Sequence, residues 1–577
     1  MSSRKVMVKY EAPLWHRKTP REMLKEPLST ECDAGRDNIF KVRRDTIAIV
    51  FVPGIMGSKL RKINGKREPV WNPDAAGFMM NKYLRAKPEQ RYDLLIKDPL
   101  EVMHDASKLQ DRHPKAAKRG WGSVAWSFYG DLLCSLQDWG TPLKVLLDLP
   151  VYAFGYNWLK SNRESGILLR KAILSIKSAQ KVIIVTHSMG GLVARYALGG
   201  DGGEAIADKV LGVIHGAQPV HGAPVAYRRQ IAGQEVDGFF NIFGMIGAKV
   251  LGADGPAVTA IFPHAPGALE LLPSQNYRTN DGRRQWLHVQ DPDNPKACVS
   301  YPQNGDPYEE IYLKSSHRDF WGMIHGDWFQ PQSEDVGALD RVLYGAAPVQ
   351  PEDHRSLAMK LKKHLRSARE FHGRIGGYSH PRTVQYFSSG HDTCAEVCWL
   401  ARNVTETVKI RPDPAYGDRK PLGAYGCLRD IENIRALSHG EYSEVRWRDS
   451  DGALGDRVPW KTSFGDLDRG IREGKSLWLL RLSNIGKEGP GMRDEKRCHL
   501  GDGTVPLSSA TGLDPDCNTW AGATACLPFW KGPNGNIFTA TGSPNKSEHS
   551  TFYDRGAIQA TINAIHNLCL GWLKEEF

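Results

Sequence analysis

Ser188 is the residue of this chain whose surroundings are best suited to nucleophilic chemistry. It lies in the run VTHSMGG over 185–191, between a strand-like apolar segment, Lys181–Val185, and a helix-like segment, Met189–Leu198. A hydroxyl becomes a good nucleophile only when a base takes its proton and a turn presents it to the substrate. A tight strand-to-helix turn provides that presentation. The pattern therefore predicts that Ser188 can attack an ester carbonyl.

Such a turn strains the backbone at the serine, so the residues two positions away on either side should be small. Gly190 meets this requirement on the helix side. Thr186 stands on the strand side, where the usual motif has glycine, and the motif departs from its pattern there. Threonine suits the end of a strand. We therefore expect the turn to tolerate it.

The acid and the base should follow the serine in the chain, in that order. Asp502 lies in a tight glycine loop, GDGTVP over 501–506, which can project a carboxylate from a sheet edge. In the alternative interpretation the same side chain forms only an Asx turn. His549 lies in a polar loop before the last helix, whereas His566 lies inside that helix, where a structural role is expected. We predict that Ser188, Asp502 and His549 are the catalytic residues.

Acyl transfer also needs hydrogen-bond donors for the developing oxyanion, and backbone N–H groups serve well because they are fixed in advance. One candidate is the N–H of Met189, at the start of the helix after the serine. The second should come from the glycine-rich loop PGIMG at 53–57, where Met56 is our prediction and Ile55 the second choice. A phosphate-binding loop is excluded because no Gly-Lys-Ser/Thr follows.

The elements that must position these residues alternate between strand-like and helix-like segments, which predicts an α/β fold with a mostly parallel central sheet. Continuous apolar or β-branched runs are typical of strands covered on both faces. The predicted strands are Thr46–Val52, Pro150–Phe154, Lys181–Val185, Lys209–Ile214, Thr383–Phe387 and Ser476–Leu482. The predicted helices cover 164–179, 189–198 and the segment from Ala557 onward.

The pattern loosens between the two ends of the chain, which indicates large insertions into one core. We expect an N-terminal arm over 1–45, core segments over 46–230, 381–395 and 498–577, a lid or cap insertion over 231–380 and a second insertion over 396–497. Phe239–Ile246 has the composition of a lid, although a buried helix is the alternative. A helix near 354–372 has an apolar stripe and many basic residues. It could lie on an anionic membrane or pack its stripe against the protein.

Composition narrows the function classes. The net charge of +11 is compatible with anionic lipid or polyanions, but no nucleic-acid-binding motif is present, so nucleic acid is not an expected partner. No metal-ligand spacing supports a metal site, and no cofactor is expected. His215 and His221 are expected to shape the pocket rim. Cys517 and Cys526 could form a disulfide in an oxidising space.

Six motifs taken together resemble the lecithin:cholesterol acyltransferase and lysosomal phospholipase group of α/β-hydrolases. They are Val52–Ser58, Val70–Trp71, Ala153–Trp158, Thr186–Gly191, Gly501–Pro506 and Pro266–Pro273, the last also similar to inositol-deacylase-like lipases. The resemblance implies an α/β-hydrolase fold with large lid or cap insertions. It also implies a triad of Ser188, Asp502 and His549 and an oxyanion hole at Met56 and Met189.

In its length, its insertions and its lack of a signal-peptide pattern, the chain is similar to the bacterial type VI secretion phospholipase effectors. This resemblance implies an antibacterial serine phospholipase that is cytoplasmic in its producer and acts in the periplasm or at the membranes of a target cell. Membrane phospholipid would be the substrate, and an immunity protein and a secretion-spike carrier the partners. The alternatives are a lipid acyltransferase, an intracellular esterase, or a non-catalytic binding protein on a hydrolase scaffold.

Overall fold

The computed structural model describes the greater part of the chain, with gaps. The described residues are 8–13, 38–83, 86, 88–109, 113–233, 258, 260–291, 297–315, 319–323, 354–387, 391–405, 442–450, 452, 454–458, 464–484, 500–513, 549 and 555–576. Within these ranges, no helix has both the length and the apolar character needed to cross a bilayer. The lid candidate Phe239–Ile246 and the pair Cys517 and Cys526 lie outside the described residues.

The strands are β1 (Val8–Pro13), β2 (Asn38–Arg43), β3 (Asp45–Val52), β4 (Leu60–Lys62), β5 (Pro69–Trp71), β6 (Leu100–Val102), β7 (Leu147–Asp148), β8 (Val151–Ala153), β9 (Lys181–His187), β10 (Val210–Gly216), β11 (Leu287–Gln290), β12 (Cys298–Tyr301), β13 (Thr383–Tyr386), β14 (His391–Asp392), β15 (Val397–Asn403), β16 (Tyr442–Arg448), β17 (Leu454–Arg457), β18 (Ser476–Asn484) and β19 (Leu500–Gly501). The α-helices are α1 (Ala76–Tyr83), α2 (Pro88–Leu95), α3 (Trp126–Asp138), α4 (Leu143–Leu146), α5 (Asn162–Ser175), α6 (Gly190–Gly199), α7 (Glu204–Ala207), α8 (Pro224–Ala232), α9 (Pro266–Leu269), α10 (His354–Ile375), α11 (Phe464–Arg472), α12 (Leu507–Ala510) and α13 (Arg555–Glu576).

A parallel sheet forms the core, in the order β13–β10–β9–β3–β7, with β8 also paired to β3. Successive residues of β3 alternate between two apolar cores. Ala48 and Val50 face one core, which α5 and α6 cover. Ile47 and Ile49 face the other, which α3 and α13 cover. Since the strands are parallel, the carboxyl ends of β3, β9 and β10 meet at one edge, where ligands bind in sheets of this type. The predicted α/β-hydrolase fold is confirmed.

A second, mostly antiparallel sheet has the order β12–β11–β15–β18–β16–β17. The predicted strand Ser476–Leu482 lies in this sheet, where β18 pairs with β15 and β16 on its two sides. The sheet combines strands from before α10 with strands from beyond β13. Segments that lie far apart in the sequence therefore form one sheet, because each segment supplies backbone hydrogen-bond partners for the unpaired edge strand of the other.

The basic helix α10 packs its apolar stripe inward. Leu361 and Leu365 are fully buried in the core beside the second sheet, and Phe371 and Ile375 reach the central core. This decides between the two interpretations of the helix, because a stripe buried in protein cannot lie in a membrane. The helix instead packs against both the core beside the second sheet and the central core.

Glu270, in the motif Pro266–Pro273, ties α9 to the start of α5. The buried carboxylate lies 2.5 Å from Ser161 Oγ and accepts a hydrogen bond from Asn162 N–H at 2.7 Å. Its backbone carbonyl accepts from the His372 ring at 2.7 Å, which joins α10 to the same point. Burial raises the pKa of Glu270 from the usual 4.5 to about 7, against the effect of the hydrogen bond from Ser161.

This pKa predicts a specific pH dependence of stability. A carboxyl whose pKa is higher in the folded than in the unfolded state stabilises the fold fully below pH 4.5, and the contribution is lost as the pH rises through 7. The free energy of unfolding, measured relative to Glu270→Gln, should fall by about 3 kcal/mol over this interval, at 1.36 kcal/mol per pKa unit. Calorimetry of both proteins between pH 4.5 and 8 tests this, and a constant difference would contradict it.

Candidate active site

Ser188 occupies the tight turn between β9 and α6. Its φ angle is 51°, in the left-handed region that non-glycine residues rarely adopt. The Ser188 N–H donates to the carbonyl of Gly216 at 2.9 Å, which anchors the turn to the end of β10. A non-glycine residue keeps such a conformation only when its surroundings impose it. The fold therefore holds Ser188 in a strained position at the edge of the sheet where the strands end.

The glycine after the turn allows α6 to approach β3 closely. A methyl group at Gly190 would lie 2.5 Å from each of the carbonyl oxygens of Val52 and Pro53. Both are backbone atoms and cannot rotate away. The requirement for a small residue therefore arises from contact between the helix start and the loop after β3.

Gly190→Ala is expected to destabilise the protein by about 1–3 kcal/mol, because the inserted methyl group overpacks a site that cannot relax. Gly373→Ala is the matched control. A methyl group at Gly373, on the exposed side of α10, meets no atom within 4 Å, and should stabilise the helix by about 0.5–1 kcal/mol. Melting temperatures of the two variants should move in opposite directions. A Gly190→Ala variant as stable as Gly373→Ala would disprove the close approach.

Thr186 is accommodated within the sheet. It is fully buried on β9, opposite His215 of β10, and its Oγ1 lies 2.8 Å from Nδ1 of that histidine. Burial and the nearby Arg195 lower the pKa of His215 to about 3, so the ring is neutral. His221 is also largely buried, and its N–H donates to Ser509 Oγ at 3.2 Å. Both histidines are thus packed inside the fold.

His549 joins Asp502 to Ser188. Its Nδ1 lies 2.8 Å from Asp502 Oδ2 and its Nε2 lies 2.7 Å from Ser188 Oγ. The backbone N–H of His549 also donates to the carbonyl of Asp502 at 2.8 Å. The structure therefore brings together the three residues predicted from sequence, with the imidazole between the hydroxyl and the carboxylate.

Asp502 is buried and uses its two oxygens for different purposes. Oδ1 accepts from the backbone N–H groups of Thr504 and Val505, at 3.0 and 2.7 Å, while Oδ2 faces His549. The Asx turn that was the alternative interpretation is thus present together with the contact to the histidine. Because the turn fixes Oδ1, the carboxylate has one orientation, and Oδ2 points at the imidazole.

The glycine-rich loop after β3 passes directly over the serine. A methyl group at Gly54 would lie 3.0 Å from Ser188 Cβ. Two aromatic side chains hold the loop by its carbonyls: Tyr156 Oη donates to Pro53 at 2.9 Å, and Trp71 Nε1 donates to Met56 at 2.8 Å. These contacts explain why the tryptophan and tyrosine motifs accompany the loop.

Met56 has a φ angle of 62°, a second strained residue of this site. Its N–H and that of Met189 donate to no acceptor among the described residues. Unpaired backbone donors at a turn and at a helix start are the groups that bind an oxyanion. The strain at Met56 is maintained by the Trp71 hydrogen bond to its carbonyl.

Sequence reasoning missed a buried ion pair beside this loop. Lys59 Nζ lies 2.7 Å from Asp74 Oδ2, and both side chains are almost fully buried. Asp74 also accepts from the N–H groups of Trp126 and Ser127, at the start of α3. Burial alone would raise the pKa of Asp74, but the hydrogen bonds from Lys59 and Ser127 lower it. No local signal distinguished this lysine from the many surface ones.

Sequence reasoning also missed the role of His187, although it lies inside the serine motif. Its ring is buried, with Nδ1 2.9 Å from Tyr129 Oη and Nε2 3.1 Å from the carbonyl oxygen of His549. Burial and the neighbouring His549 hold the pKa of His187 well below its usual value, so the ring is neutral. Across the described residues, no group of three or more histidine, cysteine, aspartate or glutamate side chains is arranged to bind a metal ion.

Comparison with known proteins agrees with the fold. Residues 168–235, which include the serine turn, match the family model of the PGAP1-like alpha/beta domain. The structure described as the Tle4–Tli4 complex matches over 92% of this chain and 99% of that chain, with a TM-score of 0.57 and 22% identity. These matches confirm the α/β-hydrolase resemblance inferred from the motifs.

A second solved structure, the Bacillus licheniformis lipase BlEst2 in its propeptide form, aligns with 77% of this chain and 76% of that chain. The TM-score of this alignment is 0.18 and the sequence identity is 11%. No curated protein matches the chain.

Proposed function

We propose that this chain is a serine lipase that hydrolyses acyl esters of membrane glycerophospholipids. The observation that carries the proposal is the pair of short contacts at His549, 2.7 Å to Ser188 Oγ and 2.8 Å to Asp502 Oδ2. A hydroxyl, an imidazole and a buried carboxylate in this order form the machinery of serine hydrolases. In this proposal Ser188 is the nucleophile, His549 the general base and Asp502 the residue that orients the base.

The first half-reaction forms an acyl-enzyme. Ser188 Oγ attacks the ester carbonyl carbon while His549 Nε2 takes the hydroxyl proton. Asp502 accepts the Nδ1–H, which leaves the lone pair on Nε2 and stabilises the imidazolium that forms. The N–H groups of Met56 and Met189 bind the oxyanion of the tetrahedral intermediate. The imidazolium then protonates the leaving alcohol as the ester bond breaks.

The second half-reaction releases the acyl group to water. A water molecule gives a proton to His549 and attacks the acyl carbon, and the proton returns to Ser188 as the acyl–oxygen bond breaks. A lipid acyltransferase would use the same residues with an alcohol in place of water. The two activities therefore differ only in the acceptor that reaches the acyl-enzyme.

Lipid as the substrate class rests on the resemblance of the motifs to lipases and phospholipases and on the matched PGAP1-like domain. The net charge of +11 is favourable for work at an anionic bilayer. Lys363 and Arg366, on the exposed side of α10, are part of this positive charge. A binding protein without catalysis has no need of a strained serine in contact with a histidine, so the same geometry disfavours it.

The experiment that tests the activity is product analysis on vesicles of phosphatidylglycerol and phosphatidylethanolamine, with mass spectrometry of the lipids released. Free fatty acid together with lysophospholipid is the expected result. A parallel reaction with a long-chain alcohol distinguishes the acyltransferase, which would form an alkyl ester in preference to fatty acid. Intact lipid in both reactions, with no labelling of Ser188 by a fluorophosphonate probe, would favour the binding protein.

We further propose that the chain is a type VI secretion effector with a protein partner that inhibits it. The support is the resemblance of the whole chain to such effectors and the fact that the matched Tle4 structure is a complex with Tli4. Expression in a bacterial host should inhibit growth when the protein is directed to the periplasm. A small protein encoded beside it, with a signal peptide, should restore growth. Equal growth with and without periplasmic targeting would reject the effector role.

A further inference from the structure

A buried chain of hydrogen bonds connects the loop over Ser188 with the backbone of His549. The Gly54 N–H donates to Tyr129 Oη at 3.2 Å, and this oxygen lies 2.9 Å from His187 Nδ1. On the far side of the ring, Nε2 lies 3.1 Å from the carbonyl oxygen of His549. We call these groups the buried bridge: Gly54 N–H, the Tyr129 hydroxyl, the His187 ring and the His549 carbonyl.

Every proton in the buried bridge has one possible place. The carbonyl of His549 can only accept, so His187 must carry its proton on Nε2. The ring is neutral, so its Nδ1 has no proton and must accept from the Tyr129 hydroxyl. That hydroxyl donates its only proton to Nδ1, so towards the loop its oxygen can only accept, and it accepts from Gly54 N–H. The chain of donors therefore runs in a single direction, from the glycine loop to the histidine carbonyl.

Packing makes the bridge rigid. The rings of His187 and His549 lie 5.2 Å apart at 36°, and Tyr129 meets His187 edge to face at 5.8 Å. Tyr129 is carried by α3, whose start is capped by Asp74. Burial raises the pKa of Tyr129 far above its ordinary value, so the hydroxyl keeps its proton. The bridge thus extends from the base through two aromatic rings to a helix of the core.

We propose that His187 and Tyr129 are positioning residues for both halves of the candidate site. This inference rests on the proposed function. Through its Nε2–H, His187 holds the backbone of His549 so that the imidazole stays on the Ser188 hydroxyl. Through its oxygen, Tyr129 holds the Gly54 end of the loop that presents the Met56 N–H. The buried bridge therefore positions both the base, His549, and one oxyanion donor, the Met56 N–H.

The proposal predicts an effect on kcat and not on KM. The Tyr129 hydroxyl and the His187 ring are bonded to other groups of the protein, so we do not expect them to bind the ground state of a lipid. Displacement of a catalytic group by about 1 Å can nevertheless lower the rate about 100-fold. Tyr129→Phe deletes one oxygen and leaves the packing intact. We expect it to lower kcat about 10- to 100-fold on a short-chain ester, with KM changed less than about twofold.

Two amide substitutions of His187 separate its two contacts. An asparagine amide reaches the place of Nδ1 and can bond Tyr129, but it is too short to reach the carbonyl of His549. A glutamine amide reaches the place of Nε2 and can donate to that carbonyl. We therefore expect His187→Gln to retain at least about tenfold more activity than His187→Asn. The double variant Tyr129→Phe/His187→Asn should lose more activity than either single variant, because Tyr129→Phe releases the Gly54 end of the loop and His187→Asn releases the backbone of His549.

Tyr227→Phe is the matched control. The Tyr227 hydroxyl is equally buried and is bonded in the same way, accepting from Trp399 Nε1 at 2.9 Å and donating to the carbonyl of Trp321. It lies beside the second sheet, so its loss should reduce stability without lowering kcat. The melting temperatures of Tyr129→Phe and Tyr227→Phe then show how much stability is lost when a buried, hydrogen-bonded tyrosine hydroxyl is removed.

The outcomes are separable from those of the proposed function. If the wild-type protein hydrolyses no ester, the proposed function fails. If the wild-type protein is active, either of two results overturns the positioning role: a kcat of Tyr129→Phe within about threefold of wild type, or a kcat of Tyr129→Phe no lower than that of Tyr227→Phe. Equal activity of His187→Gln and His187→Asn would also overturn it. Should the His187 variants fail to fold, the kcat and KM of Tyr129→Phe decide the matter alone.

Discussion

Ser188→Ala should lower ester hydrolysis by about four to six orders of magnitude, because it removes the atom that would form the acyl-enzyme. The residual rate would come from water attacking a carbonyl that the loop N–H groups still polarise. The side chain is almost fully buried in its turn, and the hydroxyl contacts His549. Its loss leaves no bulky cavity, so the fold should persist. Initial rates on a short-chain ester, with melting curves of both proteins, measure the two expectations.

Ser165→Ala is a suitable control, since this serine is also buried but lies within α5. It should keep wild-type activity, and a fluorophosphonate probe should label it as strongly as the wild type. The same probe should not label Ser188→Ala. Undiminished hydrolysis by the alanine variant would show that another residue forms the acyl-enzyme and would reject the proposed mechanism.

Asp502→Asn is expected to lower kcat by about 10³- to 10⁴-fold through the tautomer of the base. Oδ1 of the aspartate accepts two backbone N–H groups, so the asparagine carbonyl oxygen must take that place. Its NH₂ group then faces His549 Nδ1 and donates to it. The imidazole must carry its remaining proton on Nε2, where it cannot accept the proton of Ser188.

The Asx turn is preserved in this variant, so stability should change little while activity collapses. Asp98→Asn, which alters an exposed carboxylate paired with Lys62, serves as the control and should remain fully active. The pH profile provides a second measurement. Loss of an orienting carboxylate leaves hydroxide-driven attack as the main route, so residual activity should increase with the hydroxide concentration as the pH rises. Activity within about tenfold of wild type at neutral pH would exclude Asp502 as the orienting acid.

Local sequence patterns predicted the central sheet well, because each of its longer strands is an apolar run that ends in a turn. Composition alone does not assign a strand to a sheet: Ser476–Leu482, in the predicted second insertion, has the composition of a core strand but pairs in the second sheet. A strand that is buried on both faces is apolar in any sheet. The apolar pattern therefore indicates that a strand is buried, but not to which sheet it belongs. The division of the chain into core and insertions stays a proposal for the same reason.

At the candidate site, the residues that sequence identified are those whose own neighbours are constrained. Ser188 needs a glycine after its turn, and Asp502 needs its glycine loop, so each leaves a local signature. Tyr129 leaves none. It contacts His187 because α3 packs against the central sheet, and nothing in the helix sequence indicates that contact. Partners brought together by tertiary packing, such as Lys59 and Asp74, are invisible for the same reason.

The separation of 361 positions between Ser188 and His549 has a consequence for the timing of activity during synthesis. Domains fold as the chain emerges, N-terminal parts first. The turn at Ser188 can form early, but His549 emerges only after nearly the whole chain has been made. A nascent or truncated chain thus carries a serine with no base. Under the proposed function, the chain cannot hydrolyse the lipids of nearby bilayers until its last segment has docked.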